Sequence, residues 1–442
     1  MMSASQSQPT MESKLKSLQC HFTWEQGPSR SKLLFLKQEL EDIGTEQGYS
    51  WLGHIYNLQG FIHYQLGSME EARRLLSRAT EAFRQMRNTV SDEGPWLVVN
   101  YGNLAWLHYH LGEQAKCQTY LLKIDALINE YPPPCEDELH AEVYAEKAWT
   151  LMKFSKDQKL LAADYFQRAL RMQPDMVEWQ TSRVIALVSA NQQRDKLLED
   201  DIMEKMKIAK DHDPENLYLA ALYLEACAQR GEKIVDEARE LATRVLRNPV
   251  SSYSGIAPLL RLYRVHISKD EAIDLAEEAL ERHPDVRLLK RCAAICYKWR
   301  IYSKSDSPLE HSRVARAISL YKEVISLYPH TSLKMQIVLA SIYEESNRQE
   351  KADQLYKEML MSDLDPEGKQ VLYNSYGKHI FFNRKRSQQS IYYHMKAAVI
   401  PHHSPYRVDS LEKLQAISDK GRSPMSVEIK EFLANLEEPE YS

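Results

Sequence analysis

The amino-acid sequence predicts an all-α fold built from repeated pairs of antiparallel helices. Glycine and proline are scarce: 14 Gly and 18 Pro in 442 residues, about 7% together against a usual ~12%. Sheets joined by tight hairpins need more glycine than this, because hairpin turns require positive φ angles. Small residues and prolines also recur at intervals close to the length of one helix pair, so we expect about eight or nine such pairs.

The repeated pattern is clearest in the segments YNLQGFIHYQLG and YGNLAWLHYHLG, near the start of the chain. Gly60 and Gly67 in the first segment correspond to Ala105 and Gly112 in the second, 45 residues later. A small residue at the first of these positions lets two helices cross closely, and glycine suits the turn between them. The pattern is typical of the tetratricopeptide repeat, a helix pair of ~34 residues.

Prolines mark the ends of the later repeats. They recur at intervals of 35 to 45 residues, at Pro174, Pro214, Pro249, Pro284, Pro329, Pro366 and Pro401. Proline cannot continue a helix and is common just beyond its C-terminus. Each repeat buries its apolar face only on its neighbours, so the stack is expected to form a superhelical solenoid. The first helix of each pair then lines a concave central groove. A non-repetitive helical bundle is the alternative, and it does not account for the regular proline spacing.

The sequence predicts four parts along the chain. Residues 1–12 are rich in Ser and Gln and are predicted to be a disordered N-terminus. Residues 13–250 are predicted to form an N-terminal superhelix, and residues 251–410 a C-terminal superhelix with a basic groove. Residues 411–442 are predicted to be capping helices followed by an acidic tail.

Composition excludes several classes of protein. The 57 basic and 62 acidic residues give a net charge of −5, which excludes a strongly basic nucleic-acid coat protein but permits a local basic groove. No apolar run approaches the ~18 residues of a membrane span, and the N-terminus lacks the apolar core of a secretory signal. The six cysteines are therefore expected to be reduced thiols in the cytosol.

No motif for catalysis, a metal or a cofactor is present in the sequence. Phosphate-binding loops, dinucleotide fingerprints, zinc-protease motifs and nucleophile elbows are all missing. Cys292 and Cys296 are four residues apart, but two ligands do not make a zinc site, and we expect both to be core residues. The sequence therefore predicts a protein that is not an enzyme and that holds no cofactor or metal.

Several segments resemble one known family, the interferon-induced proteins with tetratricopeptide repeats. LQCHFTW, at Leu18–Trp24, contains the CHFTW motif with which members of this family begin. The two repeat segments quoted above are similar to the first repeats of the family. Three further stretches are similar to later parts: EKAWTLMKF (146–154), LYRVHISKDEAIDLAEEALE (262–281) and YGKHIFFNRKRSQQSIYYHMKAA (376–398). The resemblance covers roughly residues 13–415.

The resemblance implies a cytosolic antiviral effector of innate immunity. Some members hold the 5′ end of single-stranded RNA inside the superhelix, distinguish triphosphate or incompletely methylated cap ends from self RNA, and so block translation. The implied partner is RNA and not DNA or a membrane, and homo- or hetero-oligomers with related repeat proteins are expected. The alternative within the family is a scaffold that binds proteins without RNA. A third hypothesis, a clamp for peptide carboxylates, would use Asn57 and Asn103.

Repeat phasing predicts which side chains face the groove. The candidate RNA-binding residues are Trp149, Lys153, Arg261, Arg264, Arg291 and Lys298. The four cations from 261 to 298 fall on the inner faces of adjacent repeats and could follow a phosphate backbone. Trp149 and Lys153 are four residues apart on one helix face, where Trp could stack on a base and Lys could reach a phosphate. The alternatives are a solvated charge run for the cations and helix packing for Trp149.

The positions that correspond to the family's 5′-end pocket differ in this chain. Glu39 and Ile43 stand where the family has Thr and Gln, and a carboxylate at position 39 would repel a phosphate. Ser189 replaces a family Arg, whereas Arg261 and Arg291 keep the basic character of a family Lys and His. The sequence therefore predicts that a backbone track is retained while the end pocket is altered.

Overall fold

A computed structural model describes residues 10–24, 27–44, 50–86, 93–135, 138–191, 197–303 and 310–436. Over these residues it contains 22 α-helices and no β-strand, which confirms the all-α prediction. Two compact units divide the chain, Met1–Leu275 and Ala276–Ser442. No helix in the described ranges is long and apolar enough to cross a membrane.

The helices of the first unit are α1 (Met11–Lys16), α2 (Arg30–Glu41), α3 (Leu52–Gln65), α4 (Met69–Met86), α5 (Val98–His110), α6 (Gln114–Glu130), α7 (Ala141–Leu151), α8 (Lys156–Met172), α9 (Val177–Asn191), α10 (Asp200–His212), α11 (Leu217–Gln229), α12 (Val235–Val245) and α13 (Ile256–Leu262). The boundary between the units falls within α14 (Lys269–Arg282). The helices of the second unit are α15 (Arg287–Ile301), α16 (His311–Leu327), α17 (Leu333–Glu345), α18 (Gln349–Met361), α19 (Pro366–Arg384), α20 (Ser387–Val399), α21 (Pro405–Lys420) and α22 (Ser426–Ala434).

Helices α3 to α20 make nine consecutive pairs in chain order, as the repeat pattern predicts. Direct packing within a pair is seen for α3 with α4, α5 with α6, α7 with α8, α9 with α10, α11 with α12, α15 with α16, α17 with α18, and α19 with α20. The predicted count of about eight or nine helix pairs is confirmed.

Glycine has the two roles that the repeat pattern predicts. Gly67 and Gly112 have φ angles of 84° and 75°, so both turns use the left-handed region that glycine enters without a steric cost. At Gly60, an added Cβ would lie 2.7 Å from the side chain of Leu76. A side chain at position 60 would force Leu76 to shift, so the close crossing of α3 and α4 favours glycine there.

The CHFTW segment (residues 20–24) is a buried anchor between the first repeats, and we call it the N-terminal anchor. The backbone N–H of His21 donates to Asn103 Oδ1 (3.0 Å), and Asn103 Nδ2 donates in return to His21 Nδ1 (3.0 Å). His21 Nε2 therefore carries the ring proton and donates to Thr150 Oγ1 (3.0 Å). An added Cβ on Gly102 would lie 2.8 Å from the Cβ of Cys20, so the anchor packs directly on the backbone of α5.

A second buried polar network links α4, α5, α3 and α7. Thr80 Oγ1 donates to Asn100 Oδ1 (2.6 Å), Asn100 Nδ2 donates to Asn57 Oδ1 (2.8 Å), and Asn57 Nδ2 donates to Glu146 Oε1 (2.7 Å). Burial raises the pKa of Glu146 to about 8, although the bond from Asn57 acts to lower it. Asn57 and Asn103 are both fully buried in such networks, so neither is available to the peptide-carboxylate clamp.

Three of the predicted boundaries differ from the structure. Helix α1 begins at Met11, inside the stretch predicted to be disordered, because the Thr10 side chain caps it by accepting from Ser13 N–H (3.2 Å). Helix α21 begins before the predicted cap at residue 411, because Ser404 Oγ accepts from Arg407 N–H (3.2 Å) and caps Pro405 as the first helical residue. The predicted acidic tail (437–442) lies outside the described residues.

The third difference is the division between the two halves of the chain. The sequence places it after residue 250, next to a proline that ends a repeat. In the structure α13 packs against α11, so the residues after 250 remain with the first unit.

Candidate nucleic-acid interface

The first compact unit closes on itself at the C-terminal end of α2. The backbone N–H of Ser252, in the loop before α13, donates to the carbonyl oxygen of Asp42, which directly follows α2, at 3.0 Å. Side chains from α2, the turn after α7, α11, the loop before α13 and α13 itself meet next to this contact. We call the group formed by Glu39, Lys153, Tyr218, Glu225, Tyr253 and Arg261 the inner cluster.

Lys153 lies in the turn that follows α7 and contacts two aromatic rings of the first unit. Its ammonium donates a hydrogen bond to Tyr253 Oη and lies 4.3 Å from the centre of the Trp149 ring. Burial lowers the pKa of Lys153 to about 7, and the nearby carboxylate of Glu39 acts against this shift. The residue as a whole is nevertheless half-buried rather than fully buried, and near neutral pH its ammonium is partly protonated.

Two tyrosines form the neighbouring wall of the inner cluster. The rings of Tyr218 and Tyr253 meet edge to face, with their centres 5.5 Å apart. Burial raises the pKa of both phenols, that of Tyr218 to about 12. Both hydroxyls are therefore neutral, and both residues are half-buried. Their combination of hydrogen-bonding hydroxyl and aromatic face suits a nucleotide.

Arg261 is held by a carboxylate that the sequence analysis did not identify. Its Nε donates to Glu225 Oε1 (2.6 Å), and its Nη2 donates to Glu225 Oε2. The side chain of Glu225 is 6% exposed and that of Arg261 is 34% exposed. Nη1 makes no hydrogen bond with any described residue, so one edge of the guanidinium remains able to donate. Glu225 follows Tyr218 by seven residues, two turns along one helix face, and this spacing was the signal that could have revealed it.

Trp149 is buried, whereas stacking on a base would require an open ring. Its ring is 2% exposed and stacks with Trp51, with centres 6.0 Å apart and planes 18° from parallel. Ile43 belongs to the same buried apolar cluster. Trp149 therefore takes the helix-packing role, and the ammonium of Lys153 covers its ring. Stacking of Trp149 on a terminal base stays a prediction that requires Lys153 to move.

The remaining predicted cation of the first unit lies in an irregular turn. Arg264 is half-buried within a π-helical turn, Tyr263–Ile267, that directly follows α13. The prediction that Arg264 faces inward assumed α-helical spacing from Arg261. Because a π-helical turn contains more residues, that spacing no longer holds, and the inward direction of Arg264 stays a prediction.

Arg291 and Lys298 belong to the second unit, on α15. The guanidinium of Arg291 lies 5.1 Å from the centre of the Tyr328 ring. The Nζ of Lys298 lies 5.5 Å from the centre of the Trp299 ring and 5.8 Å from that of Tyr302. Both cations are half-buried and rest on aromatic faces. One groove that joins them to Arg261 and Arg264 stays a prediction.

A group of acidic residues and a histidine in the second unit has the composition of a metal site. Candidate ligand atoms of Glu344, Asp353 and His379 all lie within 4.8 Å of one another. However, Arg384 Nη2 donates to Glu344 Oε1 (2.6 Å) and to Asp353 Oδ1 (3.0 Å). The guanidinium already supplies the positive charge at this place, and the group is an ion-pair network.

Comparison with known proteins identifies relatives along nearly the whole chain, although no family model matches. The chain is 25% identical to Mus musculus interferon-induced protein with tetratricopeptide repeats 2, over 93% of this chain and 88% of the mouse protein. It is also 25% identical to the Homo sapiens antiviral innate immune response effector IFIT1, over 92% of this chain and 87% of the human protein. The resemblance that the CHFTW and repeat segments indicate is therefore confirmed.

Solved structures show the same fold. The human IFIT1 dimer with m7Gppp-AAAA matches with a TM-score of 0.68 and 23% identity, over 97% of this chain and 95% of that chain. The human IFIT1 dimer with PPP-AAAA matches with a TM-score of 0.65 and 22% identity, over 97% and 95% of the two chains. The predicted tetratricopeptide-repeat solenoid is confirmed by this similarity.

Proposed function

We propose that this chain is a cytosolic, interferon-induced antiviral effector that binds single-stranded RNA through the inner face of its repeats and thereby restricts translation. The observation that carries the proposal is the inner cluster of the first unit. Lys153 donates to Tyr253, the ring of Tyr253 meets that of Tyr218, and Arg261 acts electrostatically on Tyr218. The similarity to human IFIT1, whose solved complexes hold m7Gppp-AAAA and PPP-AAAA, supports RNA as the ligand.

The proposed mechanism is binding, with no chemical step. Lys153 and the open edge of Arg261 would neutralise phosphates near the 5′ end of the strand. In the second unit, Arg291 and Lys298 would hold phosphates further along, next to aromatic rings that can stack on bases. An RNA whose 5′ end is held in this way is withheld from the translation machinery.

The direct test is binding of the purified full chain to a single-stranded RNA at two or more salt concentrations. Each cation that neutralises a phosphate contributes about −0.7 to the slope of log K against log salt for a single strand. The variants Arg261→Gln and Arg291→Gln are each expected to weaken binding and to reduce that slope by about this amount. Arg239→Gln is the matched control, because Arg239 lies on α12 with 61% of its side chain exposed. Unchanged affinity and slope in both variants would refute the assignment of these cations.

A protein-binding scaffold is the second candidate, and one observation favours it. Phe381 and Phe382 at the end of α19 are 46% and 66% exposed, and Tyr392 on α20 is 49% exposed. Exposed aromatic side chains of this kind are enriched in protein interfaces. Light scattering of the RNA-free protein, together with pull-downs from RNase-treated lysate, distinguishes the two candidates. A scaffold would assemble or retain its partners without RNA, and it would show no salt-sensitive RNA binding.

A further inference from the structure

The inner cluster contains carboxylates as well as cations. Glu225 holds Arg261 through two hydrogen bonds and leaves only part of the guanidinium to a ligand. Glu39, on α2, acts electrostatically on Lys153 and on the phenols of Tyr218 and Tyr253, so its carboxylate lies close to these groups of the inner cluster. A ligand that enters the cluster therefore meets two acidic groups together with the basic ones.

The charges of this cluster nearly cancel. Lys153 and Arg261 supply the positive charge, and Glu39 and Glu225 supply the negative charge. Lys159 lies near Lys153, and the charge of Lys153 contributes, after the larger effect of burial, to lowering the pKa of Lys159. A site that stabilises a triphosphate must instead carry a surplus of positive charge, because several negative charges are brought together there.

Hydrogen-bonding chemistry also favours an RNA end without a triphosphate. A carboxylate can only accept hydrogen bonds, and the oxygens of an ionised triphosphate can also only accept. A 5′-hydroxyl group, the ribose hydroxyls and the amino groups of bases are donors. They can donate to Glu39, while the tyrosine hydroxyls and Arg261 Nη1 can serve the acceptors of the same nucleotide.

On these grounds we infer that the inner cluster accepts an RNA 5′ end that carries no triphosphate, and that Glu39 and Glu225 are specificity-determining residues. The inference rests on the proposed function and deepens it by naming the class of RNA end. Glu225 discriminates by occupying Arg261, which would otherwise be able to bind a phosphate through two parallel hydrogen bonds. Glu39 discriminates by repulsion.

The experiment compares one RNA sequence with either a hydroxyl or a triphosphate at its 5′ end, bound to the full chain. Wild-type protein is expected to bind the hydroxyl end at least as tightly as the triphosphate end. Glu39→Gln and Glu225→Gln are each expected to improve binding of the triphosphate RNA on the order of tenfold, with little change for the hydroxyl RNA. Glu41→Gln and Glu232→Gln are the matched controls, because they remove the same charge from exposed positions at the end of α2 and shortly after α11.

Each outcome of this experiment decides the inference. A wild-type preference for the triphosphate end would overturn it and leave the proposed RNA binding intact. An unchanged ratio of the two affinities in both glutamine variants would also overturn it. Absence of binding to either RNA would overturn the proposed function together with the inference. Because Glu225→Gln alters a buried ion pair, thermal unfolding of the variant is measured in parallel, and the half-buried Glu39 supplies an independent second variant.

Discussion

The N-terminal anchor and the inner cluster both hold polar groups within the first unit, but they satisfy those groups differently. In the anchor, both ring nitrogens of His21 are hydrogen-bonded, and burial lowers the pKa of the ring to about 3, so His21 stays neutral. In the inner cluster, Lys153 and Arg261 keep exposed surface and face carboxylates that only partly occupy them. Complete pairing stabilises a fold, whereas incomplete pairing at an accessible surface leaves a capacity to bind.

The largest expected effect is on the N-terminal anchor, and it tests whether fully paired polar groups stabilise the fold. His21→Ala removes two ring hydrogen bonds, leaves Asn103 and Thr150 without that partner, and creates a cavity. We expect the free energy of unfolding to fall by about 3 kcal/mol, measured by urea or thermal unfolding. His212→Ala, at an exposed position of α10, is the control and is expected to change it by less than about 0.5 kcal/mol. A loss below about 1 kcal/mol for His21→Ala would show that the anchor is not a stabilising element.

The next effect concerns the inner cluster and is measured as RNA affinity. Because the pKa of Lys153 is lowered to about 7, the ammonium is largely charged at about pH 6 and largely neutral at about pH 8. Binding of an RNA with a 5′-hydroxyl, which has no terminal phosphate to titrate, is therefore expected to weaken as the pH rises through this range. Lys153→Met is expected to bind about tenfold more weakly at about pH 6 and to show little pH dependence.

Lys153→Arg sharpens the same prediction, because arginine stays charged at both pH values. Its binding is expected to be independent of pH while remaining well above that of Lys153→Met. Lys156→Met, at an exposed position at the start of α8, is the control. If wild-type affinity were constant between about pH 6 and about pH 8, the charge of Lys153 would have no part in RNA binding.

The repeat fold was predictable because its signals are local. Crossings and turns within one repeat are indicated by glycines such as Gly60 and Gly67. The ends of helix pairs are indicated by the prolines that follow them. The closure of the first unit was not predictable in this way. Asp42 and Ser252 meet only because every intervening repeat adds a small rotation, and no pattern within a single repeat records that sum.

The candidate site could be predicted in part, for a related reason. Phasing within one helix was enough to select Lys153 and Arg261, which the structure places in the inner cluster. It could not reveal that Glu225, on a different helix pair, holds Arg261, or that Trp51 covers Trp149. Repeat phasing predicts the direction in which a side chain leaves its own helix. Its hydrogen-bond and stacking partners come from distant parts of the chain, which phasing does not describe.

The smallest expected effect returns to the buried networks of the first unit and concerns Glu146. The pKa of this carboxyl is raised by burial to about 8, above its ordinary value, so the folded chain keeps a proton that the unfolded chain releases at lower pH. The stability contributed by that proton is fully present below the ordinary pKa and is lost as the pH rises through about 8. Glu146→Gln keeps the oxygen that accepts from Asn57 but cannot ionise. Between about pH 6 and about pH 8, the unfolding temperature of this variant should therefore fall less than that of the wild type, with a difference between the two falls of about 2–4 °C. Glu178→Gln, at an exposed position of α9, should follow the wild-type pH dependence. Parallel pH profiles for wild type and Glu146→Gln would mean that this carboxyl is already ionised in the folded chain, and that the network from Thr80 to Glu146 contains a buried charge.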